Sequence, residues 1–115
     1  MGQHNNRLGA AGETAAARWY RRRGYRVIDR NWRWGGHGEI DLVLRRGTMV
    51  VFCEVKTRSS TRFGVPAAAV DADKQRRIRR LARHWLDEHP VRAGVVRFDV
   101  ASVLRGHVSV IEAAF

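Results

Sequence analysis

Apolar positions recur with helical spacing in two stretches of this chain and gather in five shorter runs of strand character. From Leu8 to Arg23 the sequence is alanine-rich, with Glu13, Ala16, Ala17 and Tyr20 on one face. Gly24 follows, where a helix ends. A second helix is expected after Asp71, a side chain suited to capping the first turn. Ile78, Leu81, Ala82 and Trp85 fall at i, i+3, i+4 and i+7 on its single apolar face, and Pro90 closes it.

The short runs read as strands. Tyr25 to Asp29 (YRVID) alternates, and Glu39 to Leu44 (EIDLVL) and Met49 to Lys56 (MVVFCEVK) follow. The last two are joined by RRGT, whose Gly47 predicts an antiparallel hairpin. Val95 to Val103 is a fourth strand and His107 to Phe115 a fifth. The stretch from Thr57 to Ala69 is polar, basic and carries Pro66, so it reads as a loop. The order αβββαβ plus a C-terminal strand predicts one α/β domain over residues 1–115, a mixed β-sheet flanked by helices.

Composition narrows the class. A chain of 115 residues can bury a single core without staples, and its 44% hydrophobic and 29% charged content is that of a globular protein. A lone cysteine, Cys53, allows no internal disulfide and no multi-thiolate zinc site, which suits a reducing compartment. No apolar run approaches membrane-spanning length and the N-terminus lacks a signal-like apolar segment, so a cytoplasmic, non-membrane protein is expected. Twenty-two Lys and Arg against eleven acids give +11, and only Lys56 and Lys74 are lysines. Such an excess of planar guanidinium forks points to a polyanionic partner, nucleic acid first.

One strand breaks its own pattern. VVFCEVKTR runs from apolar residues straight into Glu54 and Lys56. Period-two geometry places Phe52, Glu54 and Lys56 on one face and Val51, Cys53 and Val55 on the other. On the preceding strand Glu39, Asp41 and Val43 should share a face opposite Ile40, Leu42 and Leu44. If the hairpin pairs in register, Asp41 comes close to Glu54. Two carboxylates beside a lysine suit Mg²⁺ or Mn²⁺, which takes hard oxygen ligands and leaves positions for water and phosphate. Each residue alone fits an ordinary solvated strand face, but the combination is far more specific.

The block GEIDLVLRRGTMVVFCEVKTR resembles the signature of the PD-(D/E)xK nuclease superfamily. The chain as a whole, from about Gly9 to Phe115, resembles the small bacterial UPF0102 (YraN) family, nuclease-like proteins related to Holliday junction resolvases. The stretches GETAAARWYRRRGYRVIDRN, FGVPAAAVDADKQRRI and RFDV carry that resemblance as well. It implies a restriction-endonuclease-like core. It also implies Asp41 and Glu54 as metal carboxylates, Lys56 as the catalytic lysine, and Glu13 as a helical acid completing the metal site. Glu39 would be the acidic residue of the GEID turn. The superfamily's proline before the aspartate is Ile40 here, which removes no ligand, and Cys53 faces away from the site.

The expected activity is Mg²⁺- or Mn²⁺-dependent endonucleolytic cleavage of DNA, branched or flapped. Two alternatives stay open: a non-catalytic nucleic-acid-binding module with a nuclease fold, and a small basic protein acting in a protein complex. Cutting two strands of a junction calls for two sites, so a homodimer is the matching expectation. Arg58, Arg62 and Lys74 are the candidate phosphate contacts, and Asp99 is expected to pair structurally with an arginine. Trp32 and Trp34, interleaved with Arg33, suit either packing or base stacking.

Overall fold

The computed structural model describes residues 3–58 and 70–115, with side chains from residue 8 onward. Helix α1 covers Gln3–Arg21 and is followed by strands β1 (Arg26–Arg33), β2 (Glu39–Arg46) and β3 (Met49–Arg58). Helix α2 (Ala72–Glu88), β4 (Val95–Leu104) and β5 (His107–Ile111) complete the chain. The sheet order is β1-β2-β3-β4-β5. All neighbours are antiparallel except β3 and β4, which are parallel because α2 carries the chain back between them. This five-stranded mixed sheet with two flanking helices is compatible with a restriction-endonuclease-like core.

The expected elements all form, and their ends move for identifiable reasons. Gly24 adopts φ 87 and its N–H returns to the Arg21 carbonyl, which ends α1 where a side chain would be strained. The Asp71 carboxylate accepts the Lys74 N–H at 2.9 Å, as an N-cap should. Thr57 and Arg58, expected in a loop, instead extend β3. Their backbones find partners in Val103 and Leu104 of the parallel neighbour, a pairing that no local pattern announces. Arg62, Pro66 and the rest of that expected loop lie outside the described residues.

The sheet divides the core in two. Below α1, Ala16, Ala17 and Tyr20 pack on Leu42, Leu44, Val51, Cys53, Ala101 and Val103. Small residues let that helix lie close. A Cβ on buried Gly12 would collide with the Thr57 side chain, so α1 touches the end of β3 only because position 12 is glycine. On the other face Ile78, Leu81, Ala82 and Trp85 of α2 cover Val43, Val50, Phe52, Phe98 and Val100. Trp32 and Trp34 are half-buried against this second cluster and act in packing.

One ionic centre joins these layers. Asp99 is fully buried and accepts two N–H groups of Arg97 at 2.8 Å, the Tyr20 hydroxyl at 2.6 Å and the Ala113 N–H at 3.0 Å. It ties β4 to α1 and to the C-terminal segment. The expected structural pairing of Asp99 with an arginine is therefore present.

Candidate metal and active site

The expected site lies where β2 begins and β3 runs out, with one helix approaching from each side. The β2–β3 ladder pairs residues from Arg46↔Met49 to Leu42↔Cys53. Just beyond it, the Asp41 carboxylate accepts the Val55 N–H at 2.8 Å, so a side chain takes over from the backbone as the strands part. Alternation also breaks there. Ile40 packs on the α2 side with Val43, whereas Leu42 and Leu44 face α1, so the shared face expected for Ile40, Leu42 and Leu44 is not formed. On the β1 side an extra residue shifts the register between Val27 and Asp29. Asn31, flanked by the pairs Arg30↔Leu42 and Trp32↔Ile40, takes φ 55, which asparagine tolerates better than most residues.

These irregularities aim three carboxylates from two elements at one point. Oxygens of Glu13 on α1 and of Glu39 and Asp41 on β2 all lie within 4.8 Å of one another. Each acid has its own restraint. Arg30 Nε stands 3.5 Å from Glu13, whose carboxylate also takes a hydrogen bond from Asn31. Arg33 Nε lies 3.2 Å from Glu39. Burial pushes the Asp41 carboxyl up to about 8, the charges of Glu54, Glu13 and Glu39 add to the rise, and the Val55 N–H opposes it. Burial likewise raises Glu13 against the pull of Asn31 and Arg30, with Glu39 pushing it further.

Glu54 is only 10% exposed and serves differently. Its Oε1 meets Lys74 Nζ at 2.7 Å and Lys56 Nζ at 3.5 Å. The only two lysines in the chain thus converge on one carboxylate. They are not equivalent. Burial, reinforced by the neighbouring Lys74, pulls Lys56 below the ordinary ammonium range. Burial also works against the Lys74 charge, but its hydrogen bonds to Glu54 and Lys56 outweigh that and raise it.

Glu39, Asp41, Glu54 and Lys74 line one small pocket of about 220 Å³, together with Gly38, Arg77, Ile78 and Leu81. The structure therefore brings together Glu39, Asp41, Glu54 and Lys74, with Glu13 and Lys56 held to them through carboxylate contacts. It sends Arg58 elsewhere, to an apolar groove beside α1 and the β4–β5 turn. Lys74 sits on Glu54 and is already partnered, and Arg62 lies outside the described residues.

Sequence reasoning missed Arg30, Asn31, Arg33 and Arg77. Arg30 and Asn31 reach from β1 to Glu13 on α1, and Arg33 reaches Glu39 on β2, relations between elements that leave no local trace. Arg77 had a signal: it stands three residues after Lys74, hence on the same side of the helix.

The donor set suits a hard divalent cation. Mg²⁺ binds oxygen at about 2.1 Å, which puts opposed ligands about 4.2 Å apart. Only one pair among three octahedral ligands can be opposed and adjacent ones stand about 3 Å apart, so the Glu13, Glu39 and Asp41 oxygens, within 4.8 Å of one another, would close in around the ion. Carboxyls raised by burial, and further by their neighbours' charges, are also those whose ionised form a cation would favour.

Comparison with known proteins agrees with the geometry in extent. Residues 12–103, which include all these acids and lysines, match the family described as "Uncharacterised protein family UPF0102". A UPF0102 protein of Frankia alni is 56% identical over 98 residues, covering 85% of this chain and 81% of its own length. One from Rhodococcus opacus is 50% identical over 104 residues, 90% of this chain and 87% of its own. One from Streptomyces coelicolor is 49% identical over 98 residues, 84% and 75% respectively. The chain belongs to the UPF0102 family.

Proposed function

We propose that this protein is a member of the PD-(D/E)xK nuclease superfamily that hydrolyses phosphodiester bonds in DNA with Mg²⁺ or Mn²⁺. The observation that carries the reading is the convergence of Glu13, Glu39 and Asp41 beside the Glu54–Lys56–Lys74 cluster. Glu13, Glu39 and Asp41 would hold the ion, with Glu54 beside them. A divalent cation there supplies Lewis-acid polarisation of a phosphoryl oxygen and eases ionisation of water.

The protein's own groups divide the remaining work. Lys56 Nζ, held below the usual ammonium range, gives up its proton more readily than a free lysine and so is more often neutral and able to accept one. That suits it to a proton on an attacking water. Lys74 keeps its charge and faces the same carboxylate, so it can offset charge gathering on the phosphoryl group. The net charge of +11 supports a polyanionic substrate. Branched or flapped DNA is the substrate class we favour, with a symmetric pair of copies supplying one site per strand and the reducing cytoplasm as the setting for unpaired Cys53.

A second reading has one observation in its favour. The site is already compensated without any ion, because two lysines neutralise Glu54 and burial favours a neutral Asp41. A binding module on a nuclease scaffold would look the same.

A cleavage assay on labelled single-stranded, duplex, flap and four-way-junction DNA separates the two. The nuclease reading expects nicking with Mg²⁺ or Mn²⁺, strongest on a branched substrate and lost with EDTA. Tight binding of every substrate without a cut under either ion would leave the binding module.

A further inference from the structure

The acid pocket, at about 220 Å³, is smaller than the roughly 300–1,000 Å³ usual for ligand sites, so a polymeric ligand reaching it must continue outside. It shares Gly38 and Arg77 with a larger cleft of about 530 Å³. One wall of that cleft is residues 36–38, between β1 and β2; the other is Asp73, Arg76, Arg77 and Arg80 of α2. These four stand at i, i+3, i+4 and i+7, a single polar stripe beside the buried one.

The charges in this cleft are unequally satisfied. Asp73 is paired with Arg76. Arg77 and Arg80 have no acidic partner among the described residues. They lie one turn apart, about 5 Å along the helix axis, with planar forks suited to phosphate oxygens.

The opposite wall is braced. Trp34 is sandwiched between the rings of His37, at 4.3 Å, and His84 of α2, at 3.5 Å. Both faces of the indole are thereby covered, so it fixes the turn against the helix and offers no platform to a base. Gly38 forms the neck between the cavities. It adopts φ 117, and a Cβ there would stand 3.3 Å from Arg77 Cδ and 3.4 Å from Leu81 Cδ1.

We infer that this cleft seats the sugar–phosphate backbone of the strand entering the acid site, with Arg77 on the phosphate at the neck and Arg80 on the next one outward. The inference rests on the nuclease reading for the nature of the ligand. It assigns phosphate contacts to α2.

The test is fluorescence anisotropy of a labelled DNA oligonucleotide in EDTA, so that binding is read without cleavage, over a range of salt concentrations. Each phosphate contact removed should flatten the log–log salt dependence by about 0.7 to 0.9. Arg77→Ala and Arg80→Ala are each expected to do this with an unchanged melting temperature, since both side chains are exposed. Arg22→Ala, an exposed arginine in the turn just after α1 and on the far side of the sheet, is expected to leave the slope alone. Wild-type slopes in both α2 variants, or an equal loss in Arg22→Ala, would overturn the assignment while leaving the nuclease reading standing. An acidic protein segment as the true occupant would give that same unchanged slope. Absence of any salt-dependent binding by the wild type would sink both.

Discussion

Asp41→Asn is expected to reduce Mn²⁺-dependent cleavage about a thousandfold, a loss of roughly 4 kcal/mol in transition-state stabilisation. The same variant is expected to be more stable than the wild type when metal is withheld at pH 8. The two effects have one cause. Burial, with the charge of Glu54 next, moves the Asp41 carboxyl from the ordinary 3.8 to about 8. Between those values the folded protein keeps a proton that the unfolded chain has released. The stability contributed by neutral Asp41 is therefore complete below about pH 4 and is lost as pH rises through about 8. Asparagine has the shape of the neutral acid, can accept the Val55 N–H and does not titrate. Urea midpoints measured without metal should diverge in favour of the variant from pH 5 to pH 8. Saturating Mn²⁺ should reverse the order, because an ion bound only by the folded wild type stabilises it. Parallel pH curves for the two proteins, or full cleavage by the variant, would contradict this account of Asp41.

Asp99→Ala is expected to destabilise the fold by about 3–5 kcal/mol, the usual cost of stranding one partner of a buried ion pair. Removing this carboxylate leaves Arg97 without its two charge-assisted bonds, and the Tyr20 hydroxyl and Ala113 N–H without an acceptor. Arg97 is only 13% exposed, and Tyr20 is fully buried between α1 and the sheet. Solvent therefore cannot replace what is lost. For a domain whose total stability is about 5–15 kcal/mol, such a loss is a large share. Tyr20→Phe, which removes one donor and leaves Arg97 paired, should cost only about 1–2 kcal/mol. Equilibrium urea unfolding of both variants checks this. Near-equal midpoints for Asp99→Ala and wild type would mean that the centre is dispensable.

Much of this architecture could be read along the chain. The apolar step of Ile78, Leu81, Ala82 and Trp85 gave the buried face of α2. Asp71 gave its cap and Gly47 the hairpin, while period two placed Glu54 with Phe52 on the face opposite Val51 and Cys53. These features are local, and local sterics decide them.

What escaped was set across the sheet. Thr57 and Arg58 are strand because β4 lies beside them. Ile40 changes face because β2 is irregular at Asp41, where the backbone ladder gives way to a side-chain hydrogen bond. Glu39 joins Glu13 and Asp41, whereas Glu54, expected among the metal carboxylates, is held by two lysines. Lys74 reads along the chain as a candidate phosphate contact, because nothing in its own helix reveals a carboxylate waiting on β3. Trp34 suits either packing or base stacking along the chain, and His37 and His84 decide for packing by covering both faces of its ring.

The proposed cleavage depends on Glu13, Glu39 and Asp41 forming a seat for a divalent cation. That seat is tested most directly by titrating the wild type, Asp41→Asn and Glu13→Gln with Mn²⁺ and following the free ion by electron paramagnetic resonance. The expected result is one ion per wild-type chain, displaced by Mg²⁺. Its affinity should rise about tenfold per pH unit toward pH 8, because binding releases the Asp41 proton. Both variants should lose that site. No saturable binding by the wild type, or equal binding by all three proteins, would contradict such a seat.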